Sequence, residues 1–390
     1  MKNIKNVIGA NYGDEGKGLL TRYFAINENN PIVILYHGSV NRGSLVEKEH
    51  VFCYPISSFG TGILDNIPTF YANNFIISPI RFATEYNDLL DWKLPLGQVY
   101  VDKNCNVITP VDIIIDRIRL IYLKEQGIPA SSCCAGNRSC SMRIKNKNLI
   151  FSYEDFLNGD PIEICNYIFD NWFFEALKQL NIQKIPDRFL KYTTRNKGII
   201  DGFYEQFICF EKSLKFFQKH TVINNFNSIY DDFDTLIFES SVGLKMSMEN
   251  QEQINRTCST VGLAGVMDLL QNYDDYYGEA CYVTRSYLTK HGGGKFPEED
   301  TSLSFEDRIN NETEWQGKVR FGKLNYDEYL TRCEHDFYKN ANKNWKLTRA
   351  ITHINEVAVE KDYEKYFNYF SSTKFAEDIY VNGNTNNDTI

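Results

Sequence analysis

The stretch VIGANYGDEGKGLLTRYFA, residues 7–25, decides the fold. A β-branched run stops at Gly9. Gly13, Gly16 and Gly18 then bracket Asp14, Glu15 and Lys17 before an apolar helical pattern begins. Strand, glycine-rich turn, lysine and helix in this order predict a loop whose backbone N–H groups cradle phosphates at a helix start, with Lys17 neutralising their charge. The spacing departs from the usual phosphate loop, in which four residues separate the first glycine from a Gly-Lys pair and Ser or Thr follows to hold Mg²⁺. Here six residues separate Gly9 from Gly16, and Gly18 stands where the hydroxyl would be. Asp14 is the puzzle, because a carboxylate beside phosphates repels them unless it binds a metal or accepts a proton from a second substrate. The plainer alternative is a solvated turn between strand and helix.

Outward from this loop, short apolar runs recur at NVIGA, PIVILYHG, FYANNFIIS, QVYVDKN, DTLIFESS, EACYVTRSY, KLTRAITHI and EDIYVNG. Several end in small or polar residues, as buried strands do at a ligand-binding edge. Helical periodicity lies between them, in PVDIIIDRIRLIYLKEQ and PIEICNYIFDNWFFEALKQL. The alternation predicts an α/β fold with a largely parallel central sheet and flanking helices, whose ligands bind at the carboxyl ends of the strands. Residues 1–383 read as one domain containing a helix-rich subdomain at about 150–230, and residues 384–390 as a polar tail.

Composition narrows the function. The 390 residues include a 43% hydrophobic share, enough for a substantial core, and the net charge of −9 disfavours a general nucleic-acid-binding surface. A local cleft for one phosphorylated small molecule remains compatible with that charge. No signal-like start and no bilayer-length apolar run occurs, so a cytoplasmic protein without a membrane partner is expected. The ten cysteines read as reduced thiols, and Cys133, Cys134 and Cys140 lack zinc-site spacing.

The loop residues resemble the adenylosuccinate synthetase family, whose opening motif is close to GxxWGDEGKGK where this chain has GANYGDEGKGL. The resemblance implies a phosphate-loop-related fold and a Mg²⁺-dependent ligase. Such enzymes join the 6-oxo carbon of a purine monophosphate (IMP or an analogue) to the amine of L-aspartate at the expense of GTP. It implies that Asp14 takes the purine N1 proton and also ligates Mg²⁺, and that Lys17 and Ser44 join it as catalytic residues. Gly13, Glu15, Gly16, Lys17 and Gly18 fall about the triphosphate, with Asn355, Asn382 and Gly383 further along it. YHGSVNRGSL resembles the family's GGHNAGHT loop and sets Asn41 at the purine monophosphate and the Gly43 carbonyl on the metal. GIPASSCC makes Ser131 and Ser132 candidates for the substrate phosphate, and TCSTVGLAGV adds Ser259. RSYLTKHGGGKFPEE is close to KAYSTRVGAGPFPTE, and a homodimer with a basic residue supplied across the interface is implied, Arg143, Lys145 or Lys147 being the candidates.

Departures from the family pattern are equally specific. Ser44 replaces a histidine that helps activate the γ-phosphate, and a hydroxyl cannot carry its positive charge, so Arg42 or His37 is the expected substitute. Of the amino-acid loop only Lys318 and Arg320 survive as a carboxylate clamp. Asn355 stands where an aspartate reads guanine, and an amide faces adenine as readily, which admits ATP beside GTP. Val242 replaces a substrate-side glutamine. Two other readings therefore stand beside the leading one. One is a viral-type ligase acting on dGMP with ATP, although those relatives lack the loop aspartate; the other is a nucleotide-binding protein that has lost turnover.

Overall fold

The computed structural model describes residues 1–390 apart from 41, 46, 49–50, 53–55, 92, 94, 306–309, 311 and 384–390. Asn41 and the polar tail thus lie outside the described residues. The main strands begin with β1 (Lys2–Gly9), β2 (Pro31–Leu35), β3 (Thr69–Tyr71), β4 (Val99–Val101), β5 (Thr221–Ile223) and β6 (Thr235–Gly243). They are followed by β7 (Tyr276–Arg285), β8 (Tyr287–His291), β9 (Val319–Lys323), β10 (Trp345–Thr352), β11 (Tyr369–Phe370) and β12 (Tyr380–Val381). Ten of these form one sheet in the order β5-β4-β3-β2-β6-β1-β7-β10-β11-β12. Every neighbouring pair is parallel except β11 with β12. All eight predicted runs carry strands of this sheet, whereas β5 and β11 lie outside those runs.

Side-chain alternation on β1 sends Val7 into one apolar layer and Ile4 and Ile8 into the other, so the strand is covered on both faces, as a parallel sheet requires. The layer under Val7 also takes Leu20 and Phe24 of α1 (Lys17–Asn27). The same layer holds Tyr153, Phe156, Trp172, Phe207 and Phe217 from the helical stretch, so that stretch shares its core with the sheet. Its run at 161–180 is two α-helices, Pro161–Ile168 and Phe174–Gln179, joined through a π turn at Phe169–Phe173. Among the described residues no helix is long and apolar enough to cross a membrane, and nine cysteines are free.

α2 (Pro110–Glu125) packs against α3 (Asn137–Arg143) around a buried ion pair. Asp112 caps its own helix through the Thr109 N–H at 3.0 Å and accepts from Arg143 Nε and Nη2, each at 3.1 Å. Arg143 also donates to the carbonyls of Leu149 and Val107 at 2.7 and 2.9 Å and is 0% exposed. It is fully committed inside its own subunit, which removes it from the residues expected to reach a neighbour. Lys145 and Lys147 are exposed.

One turn further along α2, Asp116 accepts the Ser139 N–H at 3.0 Å, and burial pushes its carboxyl up to about 6. A carboxyl raised above its unfolded value near ~3.9 stabilises the fold fully below that value and loses the contribution as pH rises through about 6. Asp116→Asn cannot ionise yet keeps an acceptor for Ser139. Urea denaturation is expected to find it more stable than wild type at pH 8, by up to ~3 kcal/mol, and equal near pH 4.

Candidate active site

Residues 10–16 form the glycine-rich loop at the carboxyl end of β1, where the sheet order places β6 on one side and β7 on the other. Ligands of doubly wound sheets collect at such a point. Gly16 at φ 91° starts α1, and Asp14 holds φ 58°, a left-handed conformation uncommon outside glycine. Three consecutive carbonyls clamp this backbone. Gly13 O accepts from Thr289 Oγ1 at 3.0 Å, Asp14 O from Arg285 Nε, and Glu15 O from Thr352 Oγ1 at 2.9 Å. Local strain in the loop is thus offset by contacts from β7, β8 and β10.

Glu15 is turned inward. Its carboxylate accepts the N–H groups of Asn11 and Gly13 at 3.0 and 2.9 Å and the Lys17 ammonium at 2.6 Å, and it is 2% exposed. It shapes the loop from beneath, so its expected place at the triphosphate is open only through its backbone. The missing magnesium hydroxyl has a steric cause: a Cβ on Gly18 would lie 2.8 Å from Ser44 Cβ and 2.9 Å from Thr61 Cγ2.

Ser44 is part of a buried cluster. Its hydroxyl donates to Glu239 Oε1 at 3.1 Å and accepts from Arg42 Nη2 at 3.2 Å, while Arg42 is paired with the same Glu239 carboxylate and donates to Phe59 O at 3.1 Å. Arg42 is therefore neither a solvated loop residue nor a spare cation. His37 does not supply the charge either. Burial, with Arg42 and Lys17 nearby, lowers its pKa to about 3, and its ring meets the hydroxyls of Ser240, Ser241 and Ser259 at 3.2, 3.2 and 3.4 Å. It is neutral and lies beside Ser259.

Asp14 instead finds its histidine across the sheet edge. His291 Nε2, at the end of β8, lies 2.7 Å from Asp14 Oδ2, and Asn310 Nδ2 donates to the same oxygen at 3.1 Å. Despite its burial, the carboxyl is held well below the usual range by the hydrogen bond and charge of His291 and by Arg285 and Lys17. It is ionised, and a quarter of its side chain, 24%, is open to solvent. Sequence reasoning missed His291, Asn310 and Arg285; the stretch RSYLTKHGGG carries two of them, but their pairing with residue 14 is non-local.

Ser131 adjoins this group: its Oγ lies 3.5 Å from the His291 carbonyl, and its N–H donates to Asn255 at 3.0 Å. Ser132 accepts the Cys134 N–H at 3.1 Å. Asn355 is exposed on the turn after β10, the strand whose Thr352 clamps the glycine-rich loop. Asn382 and Gly383 are not brought there. β12 runs antiparallel on the sheet edge, four strands from β1, so it carries the chain away from the loop, and Asn382 N donates to Asn368 O at 2.8 Å.

Arg320 is forked onto Glu299, with Nε to Oε1 at 2.7 Å, and its Nη1 holds the Gly292 and Gly294 carbonyls at 3.1 and 2.9 Å. Lys318 is 77% exposed and 3.7 Å from Glu312. The expected clamp is thus divided, one member occupied and the other in solvent. Gly43 is exposed with its carbonyl near Ser44 in sequence. Among the described residues no cluster of three His, Cys, Asp or Glu side chains forms a protein-only metal cage. Mg²⁺ needs none, since it takes one or two carboxylates with phosphate oxygens and water. The ionised Asp14 is a fitting donor.

The family model for adenylosuccinate synthetase matches residues 6–325. The chain belongs to this family. Curated adenylosuccinate synthetases resemble it at low identity, 26% over 296 residues for Clostridium perfringens, covering 75% of this chain and 64% of that one. The protein of Clostridium botulinum strain Eklund 17B is 25% identical over 295 residues, covering 75% and 65%. The matched stretch thus spans just under two thirds of these relatives. Among solved structures, the fully ligated adenylosuccinate synthetase of Plasmodium falciparum superposes with TM-score 0.61 at 17% identity, covering 92% of this chain and 78% of its own. Cyanophage S-2L succinoaminodeoxyadenylate synthetase (PurZ), bound to dGMP and to dATP as an energy donor, gives 0.59 at 13%, covering 98% and 95%. These two establish the shared fold.

Proposed function

We propose that this protein is a purine nucleotide ligase that replaces the 6-oxo group of a purine monophosphate by an amine, with a nucleoside triphosphate as phosphoryl donor and L-aspartate as the amine. The observation that carries the reading is Asp14: an ionised, partly open carboxylate set inside a phosphate loop at the switch point of a parallel sheet. In this reading Asp14 accepts the N1 proton as O6 attacks the γ-phosphorus, the O–P bond to the leaving diphosphate breaks, and the amine then displaces phosphate from C6. Backbone N–H groups at Gly13, Gly16 and Gly18 with Lys17 hold the triphosphate, and Asn355 meets its base. Ser131, Ser132, Ser259 and Asn41 hold the monophosphate, beside neutral His37. The Asp14 carboxylate and the Gly43 carbonyl would hold Mg²⁺, which neutralises phosphate charge when bound. Ser44 serves as a hydroxyl donor toward the phosphates once released from Glu239. An incoming dicarboxylate takes Lys318 directly and Arg320 by displacing Glu299.

A second reading, a ligase acting on dGMP with ATP, is supported by Asn355 and by the changes at Ser44 and Val242. One assay separates the two. Inosine and guanosine monophosphates, ribo and deoxy, are each offered with ATP or GTP and with aspartate, glutamine or ammonia, and products are followed by mass. A succinyl-bearing product from IMP with release of phosphate is expected. The same product type from dGMP alone selects the second reading, and no product from any mixture overturns both.

A further inference from the structure

We infer that His291 is a positioning residue for Asp14: it fixes one carboxylate oxygen so that the other faces the reacting purine. This rests on the reading of Asp14 as proton acceptor. Two donors, His291 Nε2 at 2.7 Å and Asn310 Nδ2 at 3.1 Å, converge on Oδ2. Among the described residues neither of them, nor any other hydrogen-bond donor, takes Oδ1. An ionised carboxylate only accepts, so the histidine nitrogen donates.

The backbone of residues 13–15 is already tied down through its three carbonyls, which leaves rotation of the Asp14 side chain as the remaining freedom. His291 removes it. The histidine is itself anchored, because it ends β8 opposite Val319 of β9, and the next N–H, of Gly292, donates to Lys318 O at 2.8 Å. It reaches Asp14 from a rigid strand pair rather than from the loop that carries Ser44. Fixing Oδ2 leaves Oδ1 directed at the substrate before it arrives, and misplacing a reacting group by about 1 Å costs on the order of a hundredfold.

The test compares wild type with His291→Leu, which fills the space without a donor, and His291→Gln, whose amide Nε2 restores a donor at similar reach. The kcat and KM are measured by phosphate release on the purine monophosphate that wild type accepts. Monophosphate affinity is measured by calorimetry in magnesium-free buffer, and melting temperatures report folding. The leucine variant should lose about a hundredfold in kcat, with triphosphate KM and melting temperature nearly unchanged, and glutamine should recover most of the loss. If the leucine variant does not fold, His291→Ala takes its place. Wild-type kcat in the leucine variant, or equal losses in leucine and glutamine variants, overturns the inference alone. A wild type that turns over no purine monophosphate overturns the functional reading and this inference with it.

Discussion

Asp14→Ala is expected to abolish phosphoryl transfer while nucleotide binding stays measurable. The substitution removes the proton acceptor and one of the cation ligands that the proposed function assigns, and losing a general base alone costs roughly a hundred- to ten-thousand-fold. Binding is expected to survive because the groups proposed to hold the triphosphate, the loop N–H groups, Lys17 and Asn355, do not include the Asp14 side chain. The loop conformation is set by Glu15 and by the clamps from Thr289, Arg285 and Thr352, none of which uses the Asp14 side chain. Asp14→Asn is the sharper control, since its amide keeps the size and accepts a hydrogen bond but has no basicity. Single-turnover phosphate release gives the rate, and calorimetry gives the affinity. Near-normal turnover in either variant would remove Asp14 from the chemistry.

Arg143→Ala is expected to destabilise the fold by about 3–5 kcal/mol, the cost of leaving a buried carboxylate without its partner. Asp112 would keep its helix-capping N–H and the Ser139 hydroxyl but lose both guanidinium contacts, and the carbonyls of Leu149 and Val107 would lose their donor. Urea denaturation measures the loss. Adding Asp112→Ala removes the unpaired charge, so the double variant should be less destabilised than the sum of the singles. Lys145→Ala and Lys147→Ala, at exposed positions, should leave stability within about 0.5 kcal/mol. Wild-type stability in Arg143→Ala would mean that the buried pair contributes nothing.

How far the sequence reached can be followed along individual residues. Gly9, Gly13, Gly16, Lys17 and the apolar pattern after them lie within one turn and one helix, so the order of strand, glycine-rich turn and helix was legible from neighbouring residues. The strands in KLTRAITHI and DTLIFESS were legible for the same reason. Ser259 and Ser131 were singled out by motif, whereas their places against the His37 ring and the His291 carbonyl are set by the fold. Arg42 was visible as a charge, but the partner that buries it, Glu239, is 197 residues away.

The sequence by itself determined the parallel α/β architecture, the loop and the placing of a carboxylate inside it, because hydrophobic period and glycine spacing are properties of neighbouring residues. Only the tertiary structure decided which charges remain available. Glu239 takes Arg42, Asp112 takes Arg143, Glu299 takes Arg320, and three serines surround a His37 kept neutral by burial. It also decided direction, sending Asn382 away along an antiparallel edge strand and bringing His291 to Asp14 across a separation of 277 residues. The physical reason is common to all of these cases. Charge pairing and burial depend on distance in space, and in a parallel sheet every strand neighbour is set by a crossover rather than by adjacency in the chain.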